Sequence, residues 1–245
     1  MLLEIACFSL ESAILAAESG AHRIELCSAP LEGGLTPSVS MIKLTRKYVS
    51  IPFLVMIRPR EGDFLYSEKE FEMMMNDIRL AKDYGADGVV LGILKPDGDM
   101  DIDRISRLVL AAAPMQVTIH RAFDLTRDPY QAMENIIQTG AHRILTSGQK
   151  ATAMEGRSLI SVLVKQAAAR ITIMPGSGVN AGNIASLRQE TGAVEFHASA
   201  RKITDGNMQY TNPNLSLHAG TDLKDNSIML PNREQIEKML ASLQV

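Results

Sequence analysis

The chain has 245 residues, of which 46% are hydrophobic and 22% charged, and a formal net charge of −3. That length fits one (β/α) barrel or two smaller domains and allows a large buried core. The balanced charge, the absence of Trp and an aromatic content of 4% argue against nucleic-acid partners, and no apolar run approaches the ~18 residues of a membrane span.

Taken in order, Leu2 to Cys7 reads as a short apolar strand and Leu10 to Ser19 as a helix, with Leu10, Ile14 and Ala17 at helical spacing. Gly20-Ala21 then turns into the strand-like run Arg23 to Cys27. Alternation puts Arg23, Glu25 and Cys27 on one face of that run and Ile24 and Leu26 on the other. Helix Val39 to Tyr48, strand Pro52 to Arg58 and helix Phe71 to Tyr84 follow. The same turn recurs as Gly85-Ala86 before DGVVLG, Gly140-Ala141 before HRILT and Gly192-Ala193 before VEFHA. Glycine ends a helix at low cost because it takes the left-handed conformation without a Cβ clash. Strands Met115 to His120 and Ile171 to Met174 lie between these repeats. Helices are expected at Asp101 to Ala113, Pro129 to Thr139, Gly156 to Ala169, Ala181 to Glu190 and Asn232 to Leu243.

Strand and helix thus alternate eight times, and the strands are short and apolar, as when helices cover the sheet. This is the pattern of an α/β chain forming a single (β/α)8 TIM barrel over residues 1–245, with an open doubly wound sheet as the alternative. Ala200 to Pro231 breaks the rhythm. This long polar segment before the last helix is a cap over the mouth, an oligomer contact or a mobile stretch.

In a barrel the site lies at the C-terminal ends of the strands. Glu4, Arg23, Glu25, Arg58 and Glu195 inside the barrel must pair, which makes an internal ion-pair layer the plain reading of them. Glu25 and His120, nearer the mouth, are the candidate acid–base pair. His197 is either a hydrogen-bonded core histidine or part of the site. Arg58 and Arg60, in the loop IRPREGDF, are candidates to hold phosphate or carboxylate. Gly176, Ser177 and Gly178, ahead of a helix, are candidates to cradle the same anion on backbone N–H groups. Cys7 and Cys27 end adjacent strands on the same side of the barrel, so their sulfurs could meet and hold Cu(I). Buried structural thiols are the other reading. Two reduced cysteines also fit a cytoplasmic location.

Several long motifs together resemble the CutC copper homeostasis family: GAHRIELCSAPLEGGLTPS (20–38), MIRPREGDF with Tyr66 two places on (56–66), TIHRAFD (118–124), HRILTSGQ (142–149) and IMPGSGV (173–179). The resemblance implies a (β/α) barrel and a cytoplasmic, dimeric protein assigned to copper tolerance, binding Cu(I) through cysteines. Cys27 matches the family's IELC motif. The family's other cysteine position is occupied here by Ala6, with a thiol one place later at Cys7. Three readings therefore stand. One is Cu(I) handling at Cys27, Cys7 and His120. A second is a barrel enzyme acting on a small anionic metabolite, with Glu25 and His120 transferring protons. The third is a non-catalytic small-anion binding module. No organic cofactor is implied by any of them.

Overall fold

The computed structural model describes residues 1–210, 212–216 and 223–244. Eight parallel strands form the barrel: β1 (Leu2–Cys7), β2 (Arg23–Leu26), β3 (Phe53–Met56), β4 (Gly88–Leu91), β5 (Gln116–Ile119), β6 (Arg143–Thr146), β7 (Thr172–Pro175) and β8 (Glu195–Ala198). Each pairs with its sequence neighbour from β1 to β7, and β8 returns to pair with β1, leaving the seam between β7 and β8. Eight helices cover the outside: α1 (Leu10–Glu18), α2 (Val39–Tyr48), α3 (Glu68–Asp83), α4 (Ile102–Ala112), α5 (Pro129–Gln138), α6 (Arg157–Ala167), α7 (Ile184–Thr191) and α8 (Arg233–Gln244).

The helix ends follow local chemistry. Ser9, Ser38, Ser67, Asp101 and Asp128 cap the starts of α1 to α5 with side-chain oxygens. Ser67 forms a capping box with Glu70, so α3 begins at Glu68, three residues before the expected Phe71. Gly20, Gly85, Gly140 and Gly192 all take left-handed backbone, with φ of +88°, +80°, +80° and +72°. The alanine after each is buried against the next strand. In three repeats the following residue has a further task. His22 Nδ1 accepts from Leu3 N at 3.0 Å, Asp87 Oδ2 from Phe53 N at 3.0 Å and His142 Nδ1 from Val117 N at 3.1 Å. Each satisfies an N–H at the start of the preceding strand, so these polar residues serve the floor of the barrel rather than its mouth.

Strand alternation divides the side chains as the period of two requires. Leu3, Ile5, Cys7, Ile24 and Leu26 belong to the main core shared with the helices. Inside the barrel, Cys27, Leu54, Met56 and Val90 form a separate apolar cluster at β2 to β4. The opposite inner wall, on β1, β2, β6 and β8, is charged.

The polar segment expected at 200–231 carries a hairpin, β9 (Arg201–Asp205) paired antiparallel with β10 (Ser227–Pro231). Its strands flank the mouth, where Arg201 Nη1 donates to Pro30 O at 3.4 Å. Within this segment, residue 211 and residues 217–222 lie outside the described residues.

Candidate functional site

The charged inner wall begins with Glu4, which is fully buried. Register places it opposite Arg23 on β2 and His197 on β8. Arg23 Nε donates to Glu4 Oε2 at 2.5 Å and Arg23 Nη2 to Glu195 Oε2 at 2.7 Å. Arg143 Nε donates to the same Glu195 oxygen at 2.6 Å. The internal ion-pair layer is therefore present, and it is built as a chain of alternating charges, the arrangement that buried ions require. Arg58 does not join it.

Above this layer lies a cavity of about 260 Å³ at the C-terminal ends of the strands, lined among others by Ala6, Glu25, Arg58, His120, His197 and Arg201. His197 Nδ1 lies 2.8 Å from Glu4 Oε1, and its Nε2 lies 3.8 Å from Glu25 Oε2. Burial acts to raise the Glu4 pKa, but the His197 hydrogen bond and the Arg23 charge win and hold it at about 2. Glu4 is thus a carboxylate, and the His197 Nδ1–H donates to it. Burial raises the Glu25 pKa, the facing His197 pulls it down and the Glu4 charge pushes it up, with a net rise. His197 shifts upward as well, because the Glu25 charge and the Glu4 hydrogen bond outweigh its burial. A carboxylate–imidazole–carboxylate chain of this kind fixes the imidazole tautomer and lets Glu25 trade a proton.

The structure brings His120 and Glu25, the acid–base pair expected from the sequence, to the same cavity. The environment of His120 is different. His120 Nδ1 accepts from Ala122 N at 3.1 Å, and the ring lies 4.8 Å from that of Phe64. Burial, helped by the Arg58 charge, lowers its pKa to about 3. The imidazole facing Glu25 is instead that of His197, 3.8 Å away. The signal that selects His197 is the β8–β1 pairing, which only barrel closure creates.

The candidate anion ligands separate. Arg58 lines the cavity, but Nη1 donates to Glu32 O and Gly34 O and Nη2 to Gly62 O, at 2.6, 3.1 and 3.0 Å, and among the described residues its Nε has no hydrogen-bond partner. Arg60 is not brought to the cavity. Its guanidinium is drawn to Asp63 and Glu70 at 2.8 and 2.6 Å, in the loop before α3. Ser177 and Gly178 line the cavity, but the Gly176 N–H donates to Thr146 O at 2.9 Å. No helix starts directly after them, because Asn180 and Asn183 side chains bond Gly178 O and delay α7 to Ile184. Gly176, Ser177 and Gly178 therefore do not open a helix as expected, although Ser177 and Gly178 do lie at the cavity.

The two thiols also separate. Cys7 Sγ contacts Ser12 O of α1 at 3.4 Å, in the layer between strands and helices. Cys27 Sγ donates to Glu25 Oε2 at 3.4 Å, inside the barrel. A strand's alternate residues face opposite ways, so Ala6 and not Cys7 faces the cavity beside Glu25. Burial pushes both thiols up, and the Glu25 charge adds to this at Cys27. The expected Cys7–Cys27 pair of thiolates is not assembled, and the residues present do not fit a two-thiolate Cu(I) site. Among the described residues the group with metal-ligand spacing is Glu4, Glu25 and His197, whose ligand atoms lie within 4.8 Å of one another.

Comparison with known proteins identifies a family and the same barrel fold. The model of the CutC family matches residues 1–202. The copper homeostasis protein cutC homolog of Mus musculus is 44% identical over 240 residues, covering 98% of this chain and 88% of that protein. A family protein CutC of Chromobacterium violaceum is 50% identical over 209 residues, 85% of each chain. The crystal structure of a CutC protein from Streptococcus agalactiae superposes with a TM-score of 0.78 at 33% identity, over 81% of this chain and 98% of that one. A phosphoribosyl anthranilate isomerase of Thermotoga maritima, at 13% identity and a TM-score of 0.58, shares the barrel fold alone. With its family model matched over most of its length and its relatives aligned across both chains, the protein belongs to the CutC family.

Proposed function

We propose that this chain is a barrel enzyme that acts on a small anionic metabolite by carboxylate–imidazole acid–base chemistry. The observation that carries this reading is the Glu4–His197–Glu25 chain, which ends on a buried carboxylate at the cavity. Glu4 holds the His197 tautomer, His197 steadies the charge on Glu25, and Glu25 exchanges a proton with the substrate. The anionic character of the substrate is supported by Arg58 and Arg201 among the lining residues against the carboxylate of Glu25, the Arg121 that also lines the cavity being paired with Asp124 at 2.8 Å. The cavity volume of about 260 Å³ supports a small ligand. The two buried free cysteines support a reducing, cytoplasmic location.

Copper handling, which the name of the mouse relative carries, is the second reading. The observation in its favour is the Glu4, Glu25 and His197 group. Two carboxylates and an imidazole suit a harder divalent ion better than Cu(I), and Arg23 already holds one Glu4 oxygen.

Thermal-shift screening with phosphate- and carboxylate-bearing metabolites, in parallel with anaerobic Cu(I) titration, tests both. The enzyme reading expects at least one metabolite to raise the melting temperature of the wild type, with turnover lost in Glu25→Gln. Tight Cu(I) binding that disappears in Cys27→Ser, with no metabolite bound, would overturn it.

A further inference from the structure

Among the described residues, three that line the cavity each carry a buried polar atom with no hydrogen-bond partner: Glu25 Oε1, His120 Nε2 and Arg58 Nε. A buried polar atom left unpaired is costly, so three such atoms on residues around one cavity point to a ligand that would satisfy them. Their chemistry is specific. Glu25 Oε1 is an acceptor and Arg58 Nε a cationic donor. His120 needs a tautomer before its role can be named, and the backbone supplies it. The Ala122 N–H can only donate, so the His120 Nδ1 it meets at 3.1 Å carries the lone pair. The ring proton is then on Nε2, which makes that atom a donor.

The ring is also held in place. Phe64 packs on it at 4.8 Å. Gly92 lies so close that a Cβ there would stand 2.7 Å from both Cε1 and Nδ1 of the ring. Its low basicity keeps this imidazole uncharged at neutral pH. A neutral imidazole N–H fixed in a barrel mouth opposite a carboxylate is suited to polarising a carbonyl while the carboxylate removes the neighbouring proton.

Building on the acid–base reading above, we propose that the site enolises a small anionic carbonyl compound, with His120 Nε2–H on the carbonyl oxygen, Glu25 as the base and Arg58 Nε on the anionic group. Glu25 Oε1 takes the proton from the carbon next to the carbonyl. The C–H electron pair becomes the C=C bond of the enolate, and the carbonyl π pair moves to the oxygen, where the His120 N–H holds it. Glu25 returns the proton to the same carbon, the C=C pair becomes the C–H bond again and the carbonyl re-forms. The cycle is redox-neutral and needs no co-reactant. His120 is in this scheme a donor and never a base.

The test is proton NMR in D₂O on pyruvate, 2-oxoglutarate, dihydroxyacetone phosphate and ribulose 5-phosphate, with lactate and glycerol 3-phosphate as anions lacking the ketone. The expected result is protein-dependent loss of the signal next to the carbonyl for at least one ketone. Glu25→Gln should slow it about 10²–10⁴-fold, and His120→Ala about 10²–10³-fold. In parallel, ¹⁵N NMR of the wild-type imidazoles reads the His120 tautomer without any substrate, so a poorly folded variant does not block the test. A protonated Nδ1 with a bare Nε2 would overturn the proposal. So would turnover of another anionic metabolite, lost in Glu25→Gln, with no exchange from any ketone, an outcome under which the acid–base reading survives. Absence of any metabolite binding in the screen described above would remove both.

Discussion

Glu4 and His197 stand 193 positions apart in the sequence and face each other in register on β1 and β8, with Glu4 Oε1 2.8 Å from His197 Nδ1. The contact joins the last barrel strand to the first at the depth where structure gives way to chemistry. Below it Glu4 is anchored by Arg23, and above it His197 faces Glu25.

Glu4→Leu tests how much stability this junction carries. The substitution leaves the His197 Nδ1–H without an acceptor and Arg23 with Glu195 alone. Breaking a buried ion pair by removing one partner costs about 3–5 kcal/mol. Urea denaturation of wild type and variant should show a loss in that range. A loss below about 1 kcal/mol would mean the layer is not the structural element described.

The pH dependence of stability should carry a His120 signature. The folded value lies near 3, below the ordinary 6.5. As the pH falls from 6.5 towards 3, the unfolded chain binds a proton at this residue and the folded chain does not. Stability therefore drops by up to about 1.4 kcal/mol per pH unit from this group. His120→Gln cannot titrate, so its stability relative to wild type should improve steadily as the pH goes from 7 to 4. Parallel curves for the two proteins over that window would contradict the buried, neutral state of the imidazole.

Gly92→Ala should act on His120 without touching a polar atom. The added Cβ would meet the ring at 2.7 Å and the Ala122 Cβ at 3.0 Å. The ring must move, and the Ala122 N–H bond to Nδ1 goes with it. We expect a loss of α-proton exchange comparable to that of His120→Ala, at a stability cost of about 1–3 kcal/mol. Unchanged exchange would show that the ring position is not critical.

Thiol titration is the simplest check of the cysteine geometry. Both cysteines are fully buried, and both thiols are pushed above their ordinary range. Ellman's reagent should find essentially no reactive thiol in the native protein and two after denaturation. Rapid native labelling of Cys27 would instead indicate a reactive thiolate in the mouth and bring soft-metal binding back into consideration.

Much of the scaffold is written in local patterns. Each Gly-Ala pair ends a helix for the same reason, a left-handed backbone followed by a small buried side chain, and four such pairs mark four of the eight strand starts. Alternation also placed Arg23, Glu25 and Cys27 on one face, and the structure keeps all three inside. Cys7 was misread because a residue at a strand end says little about direction. The period of two turns it towards α1, and the inward place belongs to Ala6. Arg60 was misread because a loop of charges does not announce which pairs form. Asp63 and Glu70 reach its guanidinium, while Arg58 turns inward onto backbone carbonyls.

The sequence by itself determined the alternation of eight strands and helices, the helix ends and the inward or outward sense of most strand residues, because these depend on neighbours a few positions apart. Tertiary structure alone decided that Glu4, His197 and Glu25 form one chain and that the two thiols lie in different layers. The first depends on the register of β8 against β1, which joins residues 193 positions apart, and only closure of the barrel sets that register.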